Sequence, residues 1–277
     1  MTTPADSPLL AEIAARRDDL IALAQDLIRI PTLNPPGKNY LEICDYLADR
    51  LGRQGFALDL VRAEGSPGDC AAFPRWNLVA RRDGTRPGDC VHFNGHHDVV
   101  EVGHGWTRDP FGGELDESHP GGRVFGRGAC DMKGGLASAV IAAEAFLALR
   151  PDFAGAIEIS ATADEESGGY GGVAYLAALG YFDPARVQHV IIPEPLHKDR
   201  ICLGHRGVWW AEIETKGRIA HGSMPFLGDS AIRHMGAVLE EIEHRLSPLL
   251  ATRLTEMPVI PEGARRPTLN INSIHGG

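Results

Sequence analysis

No apolar run in this sequence approaches the roughly 18 residues that a membrane-spanning helix requires, so no such span is expected. Basic residues are in deficit: 27 Lys and Arg stand against 37 Asp and Glu, a formal net charge of −10, with a pI near 5.6. That balance lacks the basic footprint of a nucleic-acid binder or of a protein drawn to anionic lipid. Cysteine is sparse, five in 277 residues, and Cys44, Cys70, Cys90, Cys130 and Cys202 lie far apart with no C-x-x-C pair. Neither a disulfide scaffold nor a zinc finger fits, and reduced thiols in a cytoplasmic protein are expected. The amino terminus mixes both signs of charge and has no apolar h-region, so it does not read as a secretory signal. A phosphate-binding P-loop, H-E-x-x-H and G-x-S-x-G are all missing. Gly126-Arg127-Gly128 begins a dinucleotide fingerprint but meets Asp131 where the third glycine belongs.

What is there is an alternation of helix and strand patterns. Apolar residues recur at helical spacing from Leu9 to Ile30 and stop at Pro31 and the Pro35-Pro36-Gly37 turn. A second helix is expected over 40–53, with Gly55 just past its end, and an Ala/Leu-rich one over 134–150. Buried strands are expected at 91–95, 157–161 and 189–192, and a short helix over 172–179. The Gly- and Pro-rich stretch 99–127 carries too many turn signals for regular structure. This order predicts an α/β fold with a mainly parallel sheet. After Leu203 the character changes to an alternating strand (208–215), a helix (230–246) and another strand (268–274), the start of a separate α+β unit. The expected domains are therefore 1–203 and 204–277.

Four acid-bearing motifs fall at or just after predicted strand ends: Gly95-His96-His97-Asp98, Cys130-Asp131-Met132-Lys133, Asp164-Glu165-Glu166 and Pro193-Glu194-Pro195. Ligands of open α/β sheets bind at the carboxyl ends of strands, so the four could share one crevice. His96 and Asp98 are two apart and face the same way on an extended chain, whereas His97 faces away and reads as a packed histidine. Each motif alone has a plain explanation: a solvated turn for Glu165-Glu166, a helix-terminal residue for Asp131, a loop for Glu194. Together they would crowd like charges that divalent cations relieve. Trp209-Trp210 reads as one core and one surface residue, and Cys130 as a small buried side chain.

The ordered motifs G-H-H-D-V-V (95–100), W-x-x-D-P-F (106–111), G-R-G-A-C-D-M-K-G-G (126–135), D-E-E-S-G-G (164–169), P-E-P (193–195) and G-R-I-A-H-G-S-M-P (217–225) resemble the M20 metallopeptidase family. Within it they are similar to the acetylornithine deacetylase and succinyl-diaminopimelate desuccinylase group, as is L-I-R-I-P-T-L-N-P-P-G (27–37). The resemblance implies a two-metal hydrolase of N-acyl amino acids, with a catalytic zinc-hydrolase domain and an α+β lid that forms a homodimer. It implies His96 and Glu194 on one metal, Glu166 on the second and Asp131 bridging both. Asp98 would orient His96, Glu165 would take a proton from water, and His221 would stabilise the oxyanion in the neighbouring subunit's site. Zinc is the expected metal, and a mixed His/carboxylate set also accepts cobalt or manganese. A dipeptidase or carboxypeptidase of the same family is one alternative, and a metabolite-binding protein without turnover another. The family pattern continues for roughly another hundred residues past a first lid strand and helix. The sequence therefore reads as a truncated fragment, without the last histidine of the second metal, a place His275 is not expected to fill.

Overall fold

The computed structural model describes residues 7–195, 200–202, 204–259 and 261–276. Leu203, where the sequence changes character, lies outside them. The chain divides into two compact units at 202/203.

The first unit carries a five-stranded mixed sheet in the order β1-β2-β6-β3-β7, from β1 (Ala57–Arg62), β2 (Trp76–Asp83), β3 (Arg86–His96), β6 (Ala154–Thr162) and β7 (His189–Ile191). β6, β3 and β7 run parallel, so their carboxyl ends meet at one edge, while β2 is antiparallel to both β6 and β1. The α/β class holds, with the parallel pairing confined to these three strands. β1 and β2 had no counterpart in the sequence reading. The stretch read as irregular contains a two-stranded hairpin, β4 (Glu114–Asp116) and β5 (Arg123–Phe125). The helix expected from Leu9 to Ile30 is two, α1 (Pro8–Ala15) and α2 (Arg17–Arg29), interrupted at Arg16.

One face of the sheet is apolar. Ile157, Ile159 and Ala161 of β6, with Leu78 and Ala80 of β2, pack in one core with Leu23 and Leu27 of α2. α3 (Tyr40–Arg53) adds Ile43, Leu47 and Leu51, and α4 (Lys133–Leu149) adds Leu136, Val140 and Ile141. α4 is apolar nearly all round, as a helix buried on most sides must be. The opposite face is polar. Side chains two apart on β3 share it, so His92, Asn94 and His96 stand beside Glu158, Ser160 and Thr162, their register partners on β6. His92 and Glu158 pair at 2.8 Å, and Ser160 Oγ lies 2.7 Å from the other His92 ring nitrogen. Arg186 closes this buried set with an ion pair to Glu158. α5 (Val173–Ala178) follows β6.

In the second unit α6 (Ala231–Glu241) is capped by Ser230, whose Oγ accepts from Arg233 N at 3.3 Å. It continues through a π-helical turn (Ile242–Leu246) into α7 (Ser247–Ala251). The two strands expected here do not form among the described residues, for a physical reason: a strand needs a ladder partner. Among the described residues of this unit the one bridge is the isolated pair Arg218–Asp229. Nor is Trp209-Trp210 half buried, since the two are 88% and 74% exposed. No helix among the described residues is long and apolar enough to cross a membrane.

Candidate metal centre

His96 is the last residue of β3, and Asp98 lies two residues beyond its end. Glu165 and Glu166 open a 3-10 turn (Glu165–Ser167) just past β6. Glu194 lies three residues beyond β7. Asp131 comes from elsewhere, two residues before the start of α4. Gly135 in the first turn of α4 explains how the Glu194 loop comes in: a Cβ there would overlap the Pro193 carbonyl oxygen. Only glycine lets the two backbones approach so closely.

Five carboxylates gather round one imidazole. His96 Nε2 lies 3.0 Å from Asp131 Oδ1, 3.8 Å from Glu194 Oε1 and 3.9 Å from Glu165 Oε2. One donor atom each from His96, Asp131 and Glu166 falls within a mutual 4.8 Å. His96 Nδ1 donates to the Asp98 carbonyl at 3.0 Å and lies 3.4 Å from Oδ1 of the same residue. With Nδ1 engaged, Nε2 is the nitrogen turned toward the acids, as a metal-binding histidine needs.

The electrostatics show the strain of this crowding. Burial, reinforced by Asp131, pushes the Glu166 carboxyl up to about 7. Burial also raises Glu194 to about 7, against the lowering by His96 and with Asp131 and Glu165 adding to the rise. Burial alone would lower the His96 pKa, yet the hydrogen bond and charge of Asp98, followed by Asp131 and Glu194, push it up to about 10. Protonation relieves such a crowding of negative charge, and so does bound positive charge. A donor set of one imidazole and several clustered carboxylates fits divalent cations, which would displace those protons.

The geometry agrees with a sequence match. The model of "Peptidase family M20/M25/M40" matches residues 92–267, more than half of the chain. The chain belongs to this family. It is 39% identical over 231 residues to the succinyl-diaminopimelate desuccinylase of Methylobacterium nodulans, covering 79% of this chain and 55% of that protein. The M20 chain thus spans about half the length of the curated relatives it matches. Its fold is shared with human carnosine dipeptidase 1 (TM-score 0.55, 23% identity, 67% of this chain and 40% of that one). The Saccharomyces cerevisiae di-peptidase Dug1p is similar in the same way (TM-score 0.56, 20% identity, 67% and 40%).

Of the residues expected at the site, His96, Asp98, Asp131, Glu165, Glu166 and Glu194 come together in the first unit of the M20 chain. His221 belongs to the second unit, exposed, with its Nδ1 2.8 Å from Ser223 Oγ. His97 is packed as expected: it is buried, its Nε2 donates to the Trp76 carbonyl, and burial takes its pKa down to about 4. Cys130 departs from expectation, being exposed; it sits on the open loop before α4, outside the helix's buried face. His275 is also exposed and stands in no strand.

Sequence reasoning missed the residues that hold this arrangement from behind. Lys133 is fully buried and donates to the Leu27 and Ile30 carbonyls at 2.9 and 2.7 Å, capping the end of α2 and anchoring the start of α4 next to Asp131. Asp164 accepts from Tyr40 Oη and Arg75 Nε, both at 2.9 Å, behind the Glu165 turn. Asn34 donates to Asp98. The available signals were polar residues inside otherwise apolar or turn-forming motifs, D-M-K-G-G for Lys133 and N-P-P-G for Asn34.

Proposed function

We propose that this chain carries the metal centre of a cytoplasmic two-metal amidohydrolase that cleaves N-acyl amino acids, of the deacetylase or desuccinylase type. The observation that carries it is the convergence of His96, Asp131 and Glu166 within 4.8 Å, with Glu194 beside His96, at the carboxyl ends of three parallel strands. In this proposal His96 and Glu194 hold one cation, Glu166 the other, and Asp131 both. Units 1–203 and 204–277 act as catalytic domain and lid. Bound divalent cations, zinc foremost with cobalt or manganese as substitutes, supply the Lewis acidity that makes water nucleophilic near neutral pH and polarises the amide carbonyl.

The chain's own residues do the rest. Glu165 is exposed and turned toward His96, free of the hydrogen bonds that bury Asp164. It takes the proton of the attacking water and returns it to the leaving amine as the C–N bond breaks. Asp98 keeps the His96 ring turned so that Nε2 faces the acids. His221, carried by the A-H-G-S-M-P motif on an exposed loop, donates to the developing oxyanion of the partner subunit's site in a homodimer.

The test is hydrolysis by the full-length, metal-loaded protein of N-succinyl- and N-acetyl-amino acids, N-succinyl-diaminopimelate among them, against a dipeptide panel. Release of free amine from the N-acyl series is expected. Turnover of dipeptides alone would replace the proposal with a peptidase. Stoichiometric metal without turnover of either would make the protein a binder.

A further inference from the structure

Asn34 is 3% exposed and sits outside every helix and strand, in the segment after α2. That segment is bound to the chain just past β3: Asn34 N donates to the Val99 carbonyl at 2.8 Å, and Val99 N donates to the Thr32 carbonyl at 2.9 Å. The two hydrogens of the Asn34 side-chain nitrogen then go to different loops. One goes to Asp98 Oδ2 at 2.8 Å, the other to Ser167 Oγ at 2.9 Å. Ser167 closes the 3-10 turn that Glu165 and Glu166 open. The other end of that turn rests on the same carboxylate, since Glu165 N donates to Asp98 Oδ1 at 3.1 Å and Glu166 N to Asp98 Oδ2 at 3.2 Å.

We propose that Asn34 is a positioning residue for the hydrolytic site: its amide ties the Ser167 end of the Glu165–Ser167 turn to Asp98, whose carboxylate already holds the Glu165 end, and so fixes Glu165 relative to His96. The chemistry asks for a primary amide. Asp98 and Ser167 both accept here, so position 34 must offer two hydrogens from one nitrogen, in fixed directions. An aspartate has the same shape and, when ionised, offers none. A serine offers one hydrogen from a shorter side chain. Without the tether the turn keeps its sequence and loses its register on Asp98. A displacement of about 1 Å in a catalytic group is enough for a rate loss near a hundredfold.

The assignment to catalysis rests on the reading of Glu165 as the base; the tether itself does not. Two measurements on Asn34→Ala and Asn34→Asp in the full-length protein separate them. Amide hydrogen exchange on the metal-free protein should show faster exchange at Glu165 and Glu166, with the core of α4 and β6 unchanged. In the metal-loaded protein kcat should fall roughly ten- to a hundredfold, with KM within about twofold and metal content kept. Ser167→Ala should lower kcat less, and Asn34→Ala/Ser167→Ala should be no worse than Asn34→Ala alone, because the two act through one turn. Unchanged exchange at 165–166, or faster exchange throughout the first unit, would overturn the proposal. So would a fall in kcat that Asn34→Asp does not share. Local exchange changes in a protein whose wild type hydrolyses nothing would uphold the tether and overturn the hydrolase reading.

Discussion

At the scale of single residues, adjacent side chains in this site hold different positions because the backbone turns between them. Glu165 is exposed and Glu166 half-buried with its pKa raised by burial and Asp131. The donor cluster accordingly takes in Glu166 and leaves Glu165 out. Glu165→Gln in the full-length enzyme should lower kcat by at least about a hundredfold, the usual loss for a general base, with both metals retained by elemental analysis. Glu166→Gln should lose metal instead. The reverse pattern would exchange the two roles. The residues that make up this cluster were legible because each lies in a short run of unusual composition, at or past a strand end or, for Asp131, just before α4. Asn34, Lys133 and Asp164 were not, because their meaning is set by partners 64, 106 and 124 positions away in sequence, Asp98, the Leu27 carbonyl and Tyr40. A buried polar group must be paired, but a sequence does not say with what.

At the scale of elements, helices were easier to read than strands. The helix expected over 40–53 matches α3 residue for residue, because its apolar stripe and terminal glycine act within one element. β1 and β2 escaped notice: Leu58 and Leu60 stay about 40% exposed on an edge strand, and β2 ends in Arg81, Arg82 and Asp83, which mask its apolar start. The strands expected in the second unit show the converse, since alternation makes a strand possible and only pairing makes one. The polar face of the β3–β6 pair yields a testable pH dependence. Burial would raise the Glu158 pKa, but hydrogen bonds from His92 and Arg186 and their charges hold it below its ordinary value of 4.5. The folded-state value is the lower one, so the unfolded chain takes up the proton first as pH falls. The stabilisation is complete above the ordinary value and drains away as pH drops through the folded one. Glu158→Gln should therefore cost about 3 kcal/mol at neutral pH, as when one partner of a buried pair is removed. The Tm gap between wild type and variant should narrow in acid. A gap that stays constant down to a pH of about 2 would show that Glu158 contributes through packing rather than charge.

At the scale of the whole molecule, the division at 202/203 puts the metal-centre residues in one unit and His221 in the other. The sequence changes pattern near the same place, at Leu203. Periodicity carries no information about which copy of a chain a residue serves, so the role expected of His221 comes from the resemblance alone. The proposed exchange of His221 between subunits can be decided without a structure of the complex. Let full-length Glu165→Gln and His221→Ala chains be co-expressed with different tags and allowed to assort. Each mixed dimer then holds one chain whose base is intact and whose partner still has histidine at position 221. If the histidine acts across the dimer, that one site is whole, while the other site of the pair carries both defects. Random assortment makes half of the dimers mixed, so total activity should return to about a quarter of wild type, and a purified mixed dimer to about half. If the histidine serves its own chain, every site has one defect and no activity returns. Recovery in the purified mixed dimer, absent from either parent alone, is the expected result, and its absence would return His221 to its own subunit or remove it from the reaction.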